Sequence, residues 1–83
     1  MDRDAITEQI VEFIQNEFPD PGRELTCETD LLNDWFIDSL GVIETVLFLE
    51  ERFGTKLSRA DIDGANFHNA VTIADLVLRR QGA

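Results

Sequence analysis

Residues 33–54 read NDWFIDSLGVIETVLFLEERFG and carry the strongest helical pattern in the chain. One set of apolar residues recurs there at spacings of four, three and four: Val42, Val46, Leu49 and Phe53. This repeat is typical of a helix face that packs against a core. Gly54 follows, and glycine commonly ends a helix in a left-handed conformation. We therefore predict a helix from about Ser39 to Phe53.

A second set of residues projects from the opposite side of this helix, at about 100° per residue. It mixes apolar side chains with carboxylates: Leu40, Glu44, Leu47, Phe48 and Glu51. A mixed stripe of this kind opposite a core face favours a surface that recognises a partner. The alternative is that Leu40 and Leu47 pack under a loop and the glutamates are merely solvated.

A first helix is predicted near the start of the chain, with Asp2 or Asp4 as its cap and Pro19 as its stop. Its apolar repeat consists of Ile6, Ile10, Phe13, Ile14 and Phe18. Pro19-Asp20-Pro21-Gly22 then opens a connection of roughly twenty residues, which is long enough to need its own anchors. The predicted anchors are Leu25, Leu31, Leu32, Trp35, Phe36 and Ile37.

A short helix and a final helix complete the pattern. Ser58 with Asp61 three residues later is typical of a capping box, and Asn69 is the predicted cap of the final helix. That helix turns Ile73, Leu76 and Val77 inward and places Arg79 and Arg80 at the negative end of its dipole. No segment indicates a strand. We predict an all-α fold, a small four-helix bundle of three longer helices and one short helix, with residues 1–83 forming one domain.

The charge balance excludes several classes of partner. The chain has 17 acidic and 7 basic residues and a formal net charge of -10, with eight acids and no Lys or Arg from Glu24 to Glu51. Such a chain repels nucleic acid and anionic membranes, and its field attracts partners with basic patches, although solubility is a simpler explanation of the charge.

Acids in the first long loop do not match the spacing of a calcium loop, so no metal site is predicted.

The remaining counts indicate the compartment. Cys27 is the single cysteine, so the chain has no internal disulfide and needs no oxidising environment. The longest apolar run is the four residues from Val46 to Leu49, and the first residues lack the pattern of a signal peptide. We expect a cytoplasmic monomer that does not insert into membranes.

Ser39 stands alone between Asp38 and Leu40, and three roles are open to it. It is suited to cap the helix, because a serine side chain at that position accepts a backbone N–H. A nucleophile needs a base, and the single histidine, His68, lies in a polar run that indicates an exposed loop; no catalytic residue is therefore predicted. An attachment point is the third role, because a phosphodiester at the start of a helix lies near free N–H groups and the positive end of the dipole.

The ordered residues around Ser39 resemble the second helix of acyl carrier proteins. They are Asp38-Ser39-Leu40, Ile43-Glu44, Val46, Leu49-Glu50-Glu51 and Phe53-Gly54. The resemblance implies that a separate transferase moves 4'-phosphopantetheine from coenzyme A to Ser39, and that the arm's thiol holds an acyl or aminoacyl group as a thioester. It also implies that the chain is not an enzyme but presents this cargo to partner enzymes of fatty acid, lipid or specialised-metabolite biosynthesis.

Further roles follow from the same resemblance. Asp38 and Leu40 would help partners to recognise the site. Docking of basic patches on the transferase, and on acyl-activating ligases and acyl-transferring synthases, would fall to Glu44, Leu47, Glu50 and Glu51. The inward-facing residues of the later helices would part to shelter an acyl chain.

Two positions depart from the family pattern. Many members have glycine where this chain has Phe36, and an acidic residue where it has Gly41. These departures favour a freestanding, specialised carrier over the general carrier of fatty acid synthesis. The rival hypotheses are an unmodified acidic interaction module and a serine phosphorylation switch.

Overall fold

The computed structural model describes residues 2–82 and contains three α-helices and one 3-10 turn. Their bounds are Arg3–Glu17 for α1, Ser39–Phe53 for α2, Arg59–Asp61 for the turn and Ala70–Gln81 for α3. No strand occurs between residues 2 and 82, so the all-α prediction is confirmed. None of the three helices in that range combines the length and the apolar character that crossing a bilayer requires.

The predicted short third helix is a single 3-10 turn, so the count of four helices becomes three α-helices and a turn. Its backbone bonds join residues three apart, from Asp61 N–H to the Ser58 carbonyl (3.0 Å) and from Ile62 N–H to the Arg59 carbonyl (3.2 Å). The Asp61 carboxylate accepts the Ser58 N–H at 2.9 Å, as the predicted capping box requires. Ile62 follows immediately and leaves the helical conformation, with φ of -91° and ψ of 83°.

The ends of α1 are set by Asp2 and Phe18. Of the two candidate caps, Asp2 is the one used, and its carboxylate accepts the Ala5 N–H at 2.8 Å. Phe18 leaves the helical conformation, with φ of -126° and ψ of 63°, because the following Pro19 disfavours the α region for the residue before it. The first helix is therefore confirmed at both ends.

The core lies where α1 and α3 pack against each other and α2 closes over them. Its fully buried large side chains are Ile6, Ile10, Ile14, Leu49, Ile73, Leu76 and Val77. The inward-facing set predicted for the last helix is confirmed, whereas in the apolar repeat of the first helix Ile6, Ile10 and Ile14 are buried and Phe13 and Phe18 are half-buried. Asn69 caps α3 as predicted, since its side chain accepts the Thr72 N–H at 2.9 Å while the Thr72 hydroxyl accepts the Asn69 N–H at 3.1 Å.

The long connection between α1 and α2 is held by buried residues and by backbone bonds. Leu25, Leu31 and Trp35 are buried, and Leu32 and Ile37 are half-buried, as predicted. The Trp35 indole N–H donates to the Phe18 carbonyl (2.8 Å), and the Leu31 N–H donates to the His68 carbonyl (2.8 Å). These contacts tie the loop to the end of α1 and to the segment before α3.

Phe36 was predicted to be an anchor of this loop, and that prediction is wrong. Its side chain is 76% exposed. Trp35 before it is buried, and Ile37 after it is half-buried with its N–H bonded to the Leu31 carbonyl at 2.9 Å. Both neighbours are thus held against the protein, and the intervening side chain is left in solvent.

Candidate functional site

The site begins at the N-terminal end of α2, where Asp38 caps the helix. Its carboxylate accepts the Gly41 N–H at 2.8 Å and its carbonyl accepts the Val42 N–H at 2.9 Å. Its backbone is extended, as a cap residue requires. The interpretation of Ser39 as the cap is therefore wrong. The Asp38 carboxylate already accepts the Gly41 N–H, and Ser39 is the first residue inside the helix.

The Ser39 side chain is exposed and unengaged. Within residues 2–82 its hydroxyl makes no hydrogen bond. His68 is exposed, as predicted, and its Nδ1 lies 3.7 Å from an Asp30 carboxylate oxygen rather than beside a hydroxyl. Since no base in that range bonds to Ser39, the geometry shows a free hydroxyl and not an activated nucleophile.

A groove opens beside Ser39 with a volume of about 320 Å³. It is lined by Leu32, Ser39, Val42, Ile43, Ile62, Asp63, Gly64 and Phe67. Leu32, Val42 and Phe67 also border an internal gap of only about 10 Å³, which is close to the minimum that one water needs. The groove is therefore mostly apolar, and the core beneath it is closed by three side chains.

An exposed face runs along α2 from Ser39. Leu40 (63%), Ile43 (54%) and Leu47 (58%) are exposed on it, which excludes the alternative that Leu40 and Leu47 pack under a loop. Glu44 and Glu51 share this face, and neither forms an ion pair in the part of the chain that the structure describes. The face therefore offers uncompensated carboxylates between apolar side chains.

Two details of this face differ from the prediction. Phe48 was assigned to it, but this side chain is half-buried and its ring stacks on Phe13 with centroids 4.1 Å apart, so it belongs to the contact between α1 and α2. Ile43 was missed. It lies three residues after Leu40 and four before Leu47, so the helical projection contained the signal that places it on the exposed face.

Glu50, also predicted to dock partners, is engaged within the molecule. It is half-buried, and its Oε2 accepts the Leu57 N–H at 3.1 Å. This bond holds the segment after α2 against the helix. A docking role for Glu50 stays a prediction, and Glu44 and Glu51 are the carboxylates that are free to meet a partner.

Several acids of the long connection between α1 and α2 are held in specific contacts. Arg23 bonds to the carboxylates of Asp20 and Asp34, each at 2.8 Å, and its guanidinium carbon lies 4.8 Å from the centroid of Trp35. Hydrogen bonds from the Asn33 backbone and side chain lower the pKa of Asp30. The lowered pKa keeps the Asp30 carboxyl ionised at neutral pH.

Comparison with known proteins decides the family. A family model described as a phosphopantetheine attachment site matches residues 8–78, a range that includes Ser39. An acyl carrier protein of Saccharopolyspora erythraea is 32% identical over 81 residues, covering 95% of this chain and 85% of the relative. The chain belongs to the acyl carrier protein family. An acyl carrier protein of Coprothermobacter proteolyticus is 31% identical over 58 residues, covering 70% of this chain and 71% of the relative.

Membership of the acyl carrier protein family brings a cofactor and a general role. The cofactor is 4'-phosphopantetheine, and the protein is a carrier rather than an enzyme. Synthases and transferases are the general partners of such carriers. The site fits this cofactor, because Ser39 offers a free, exposed hydroxyl at the rim of a groove with room for a linear group.

Proposed function

We propose that Ser39 is the attachment residue and that the chain presents an acyl or aminoacyl group to partner enzymes. The observation that carries this proposal is the free Ser39 hydroxyl, which is left unbonded because Asp38 caps the helix. When bound, the phosphopantetheine arm supplies a terminal thiol that holds the cargo as a thioester.

The protein's own residues set the direction in which the arm leaves the surface. A phosphate on the first residue of α2 lies near backbone N–H groups and the positive end of the helix dipole, which favour an anion. Asp38 already occupies the Gly41 N–H, and its carboxylate repels a second anion. Because the repulsion by Asp38 opposes the attraction of the helix N-terminus, the phosphate stays in solvent and the arm is mobile.

Docking is assigned to the exposed face of α2. Glu44 and Glu51 provide unpaired charge, Leu47 and Leu40 provide apolar contact, and Glu50 adds charge from its half-buried position. Partners with basic patches around an apolar recess complement this face. They are a phosphopantetheinyl transferase, and acyl-activating ligases or acyl-transferring synthases that act on the loaded arm.

The groove beside Ser39 is the place where cargo would shelter. Its floor is closed by Leu32, Val42 and Phe67, so an acyl chain reaches the core only if these three side chains move apart. Short or polar cargo fits in the groove without such movement.

The pathway is a dedicated one, in lipid, polyketide or aminoacyl metabolism. Support comes from Phe36 and Gly41, where the chain departs from the pattern of general carriers, and from the exposure of Phe36 beside the site. The carrier works as a cytoplasmic monomer with residues 1–83 as one domain, because its charge of -10 opposes self-association and its single cysteine needs no oxidising compartment.

The test of this function is phosphopantetheine transfer in vitro. The purified chain is incubated with coenzyme A and a phosphopantetheinyl transferase, and its intact mass is measured. The expected result is addition of one phosphopantetheine to the wild type and none to Ser39→Ala. An unchanged wild-type mass with several competent transferases would favour the unmodified interaction module, and a phosphate alone in protein from cells would favour the phosphorylation switch.

A further inference from the structure

Phe36 has a backbone conformation that L-amino acids disfavour. Its φ is +61°, and it is the only non-glycine residue with positive φ within residues 2–82. In this left-handed region a side chain crowds its own backbone, whereas glycine adopts the conformation freely. Folding therefore carries a cost at this position that a glycine would remove.

The neighbours of Phe36 hold it in this conformation. Trp35 is buried and its indole N–H donates to the Phe18 carbonyl at 2.8 Å, while the Ile37 N–H donates to the Leu31 carbonyl at 2.9 Å. A strained residue persists when the surrounding structure fixes the chain on both sides in this way. The fold thus fixes the backbone conformation at position 36, but it does not explain why the residue there is phenylalanine.

The phenylalanine ring contributes little to the stability of the folded protein. With 76% of the side chain exposed, it is the most exposed of the large apolar residues, and it stacks on no other aromatic ring in the described chain. Water contact with a large apolar surface is unfavourable. Strain without burial indicates that the benefit of Phe36 lies outside the monomer.

We infer that Phe36 is an anchor for the partner enzymes that act at Ser39, and that it seats in an apolar recess flanked by cationic side chains on those enzymes. This inference rests on the proposed function. Phe36 lies three residues before Ser39 in the sequence, and like Leu40, Ile43 and Leu47, which follow Ser39, it is a large apolar residue left exposed. An aromatic anchor surrounded by polar residues is the usual composition of an interface hot spot.

The charge of the surroundings selects a basic protein over other occupants. Asp38 lies two residues after Phe36, and Glu44 follows on the same helix as Ser39; neither carboxylate forms an ion pair within residues 2–82, whereas Asp34 is paired with Arg23. A second copy of the chain would bring a further net charge of -10 against this acidic surface, and an anionic membrane would also be repelled. A partner surface with an apolar recess and a cationic rim complements both the exposed Phe36 ring and the carboxylates around it.

The experiment is a competition inside native cells. Wild type and Phe36→Gly are produced together at equal levels, so that both meet the same partner enzymes, and intact mass gives the bare, arm-bearing and cargo-bearing fractions of each. The expected result is an arm-bearing or cargo-bearing fraction about tenfold lower for Phe36→Gly, as for loss of one aromatic anchor. Phe36→Tyr keeps a ring and should compete within about twofold of wild type.

Stability measurements keep the result interpretable. Glycine relieves the left-handed strain, so the melting temperature of Phe36→Gly should equal or exceed that of wild type. Equal processing of wild type and Phe36→Gly would overturn the inference, and so would a dimer, or binding to neutral phosphatidylcholine vesicles, that this substitution abolishes. A wild type that never bears the arm would contradict the proposed function itself, which is a different outcome.

Discussion

Ile37 lies directly over Gly41: a Cβ atom on the glycine would stand 2.6 Å from Ile37 Cγ2 and 3.2 Å from Phe18 Cε1. Real Cβ atoms essentially never come as close as 2.6 Å to another side chain, so Ile37 and the glycine in the first turn of α2 fit as a pair. The absence of an acidic residue at position 41 therefore has a packing cause. The end of the loop and the start of the helix form one close-packed unit that carries Ser39.

The first prediction concerns this pair. Gly41→Ala should lower the free energy of unfolding by about 1–2 kcal/mol, because overpacking outweighs the gain in helix propensity. With Ile37→Ala already present, the same change should be neutral or stabilising by up to about 1 kcal/mol. Urea denaturation of the four proteins measures the coupling, and an equal cost in both backgrounds would show that the contact is unimportant.

The second prediction separates the capping role of Asp38 from its proposed role in recognition by partners. Asp38→Ala should cost about 1 kcal/mol of stability by removing the cap, whereas Asp38→Asn keeps an acceptor for the Gly41 N–H and should retain most of it. If partners read the carboxylate, Asp38→Asn should still raise the KM of the phosphopantetheinyl transferase. An unchanged KM in a stable Asp38→Asn protein would restrict Asp38 to capping.

The third prediction concerns pH. Arg80 is hydrogen-bonded to Asp61 and, with the Ser58 N–H, holds the pKa of that buried carboxyl well below its usual range. A lowered pKa stabilises the folded state fully above the unfolded pKa of about 3.9, and this contribution is lost as the pH falls through the folded pKa. Asp61→Asn should therefore be less stable than wild type at pH 7, by a margin that narrows below about pH 4. Urea denaturation across this range would contradict the assignment if the margin were constant.

The fourth prediction distinguishes the glutamates of α2. Glu44→Lys and Glu51→Lys should leave stability within about 0.5 kcal/mol of wild type, because both side chains are exposed and unpaired, yet weaken binding of a transferase at low salt. Glu50→Ala should instead cost about 1 kcal/mol by removing the acceptor of the Leu57 N–H. Unchanged transferase affinity after both charge reversals would exclude this docking face.

The success and failure of the sequence predictions have physical causes. Helix bounds and core faces were predictable, since Asp2, Asn69 and Gly54 act through local backbone chemistry and the apolar repeats fix which side is buried. Phe36 and Phe48 were misassigned because large aromatic residues suit both core and surface. Their placement depends on tertiary contacts: Phe13 is available to stack on Phe48, and the two neighbours of Phe36 occupy the core side of the loop.

The residues that make up the candidate site were predictable from the sequence, but the separate role of each residue was not. The motif placed Asp38, Ser39 and Leu40 together, yet whether serine or aspartate capped the helix depended on one residue of register. Similarly, Glu50 and Glu51 are adjacent in the sequence, and only the path of the chain after Gly54 brings the Leu57 N–H to Glu50. The attachment role of Ser39 itself stays a prediction.

The central claim is that the Ser39 hydroxyl carries the phosphopantetheine arm. The most direct measurement is peptide mapping by mass spectrometry of the protein purified from its native cells at several growth stages. We predict that the arm is found on the peptide containing Ser39, and that a Ser39→Ala protein from the same cells carries none. Native protein without the arm at every stage, or an arm on another residue, would contradict the account.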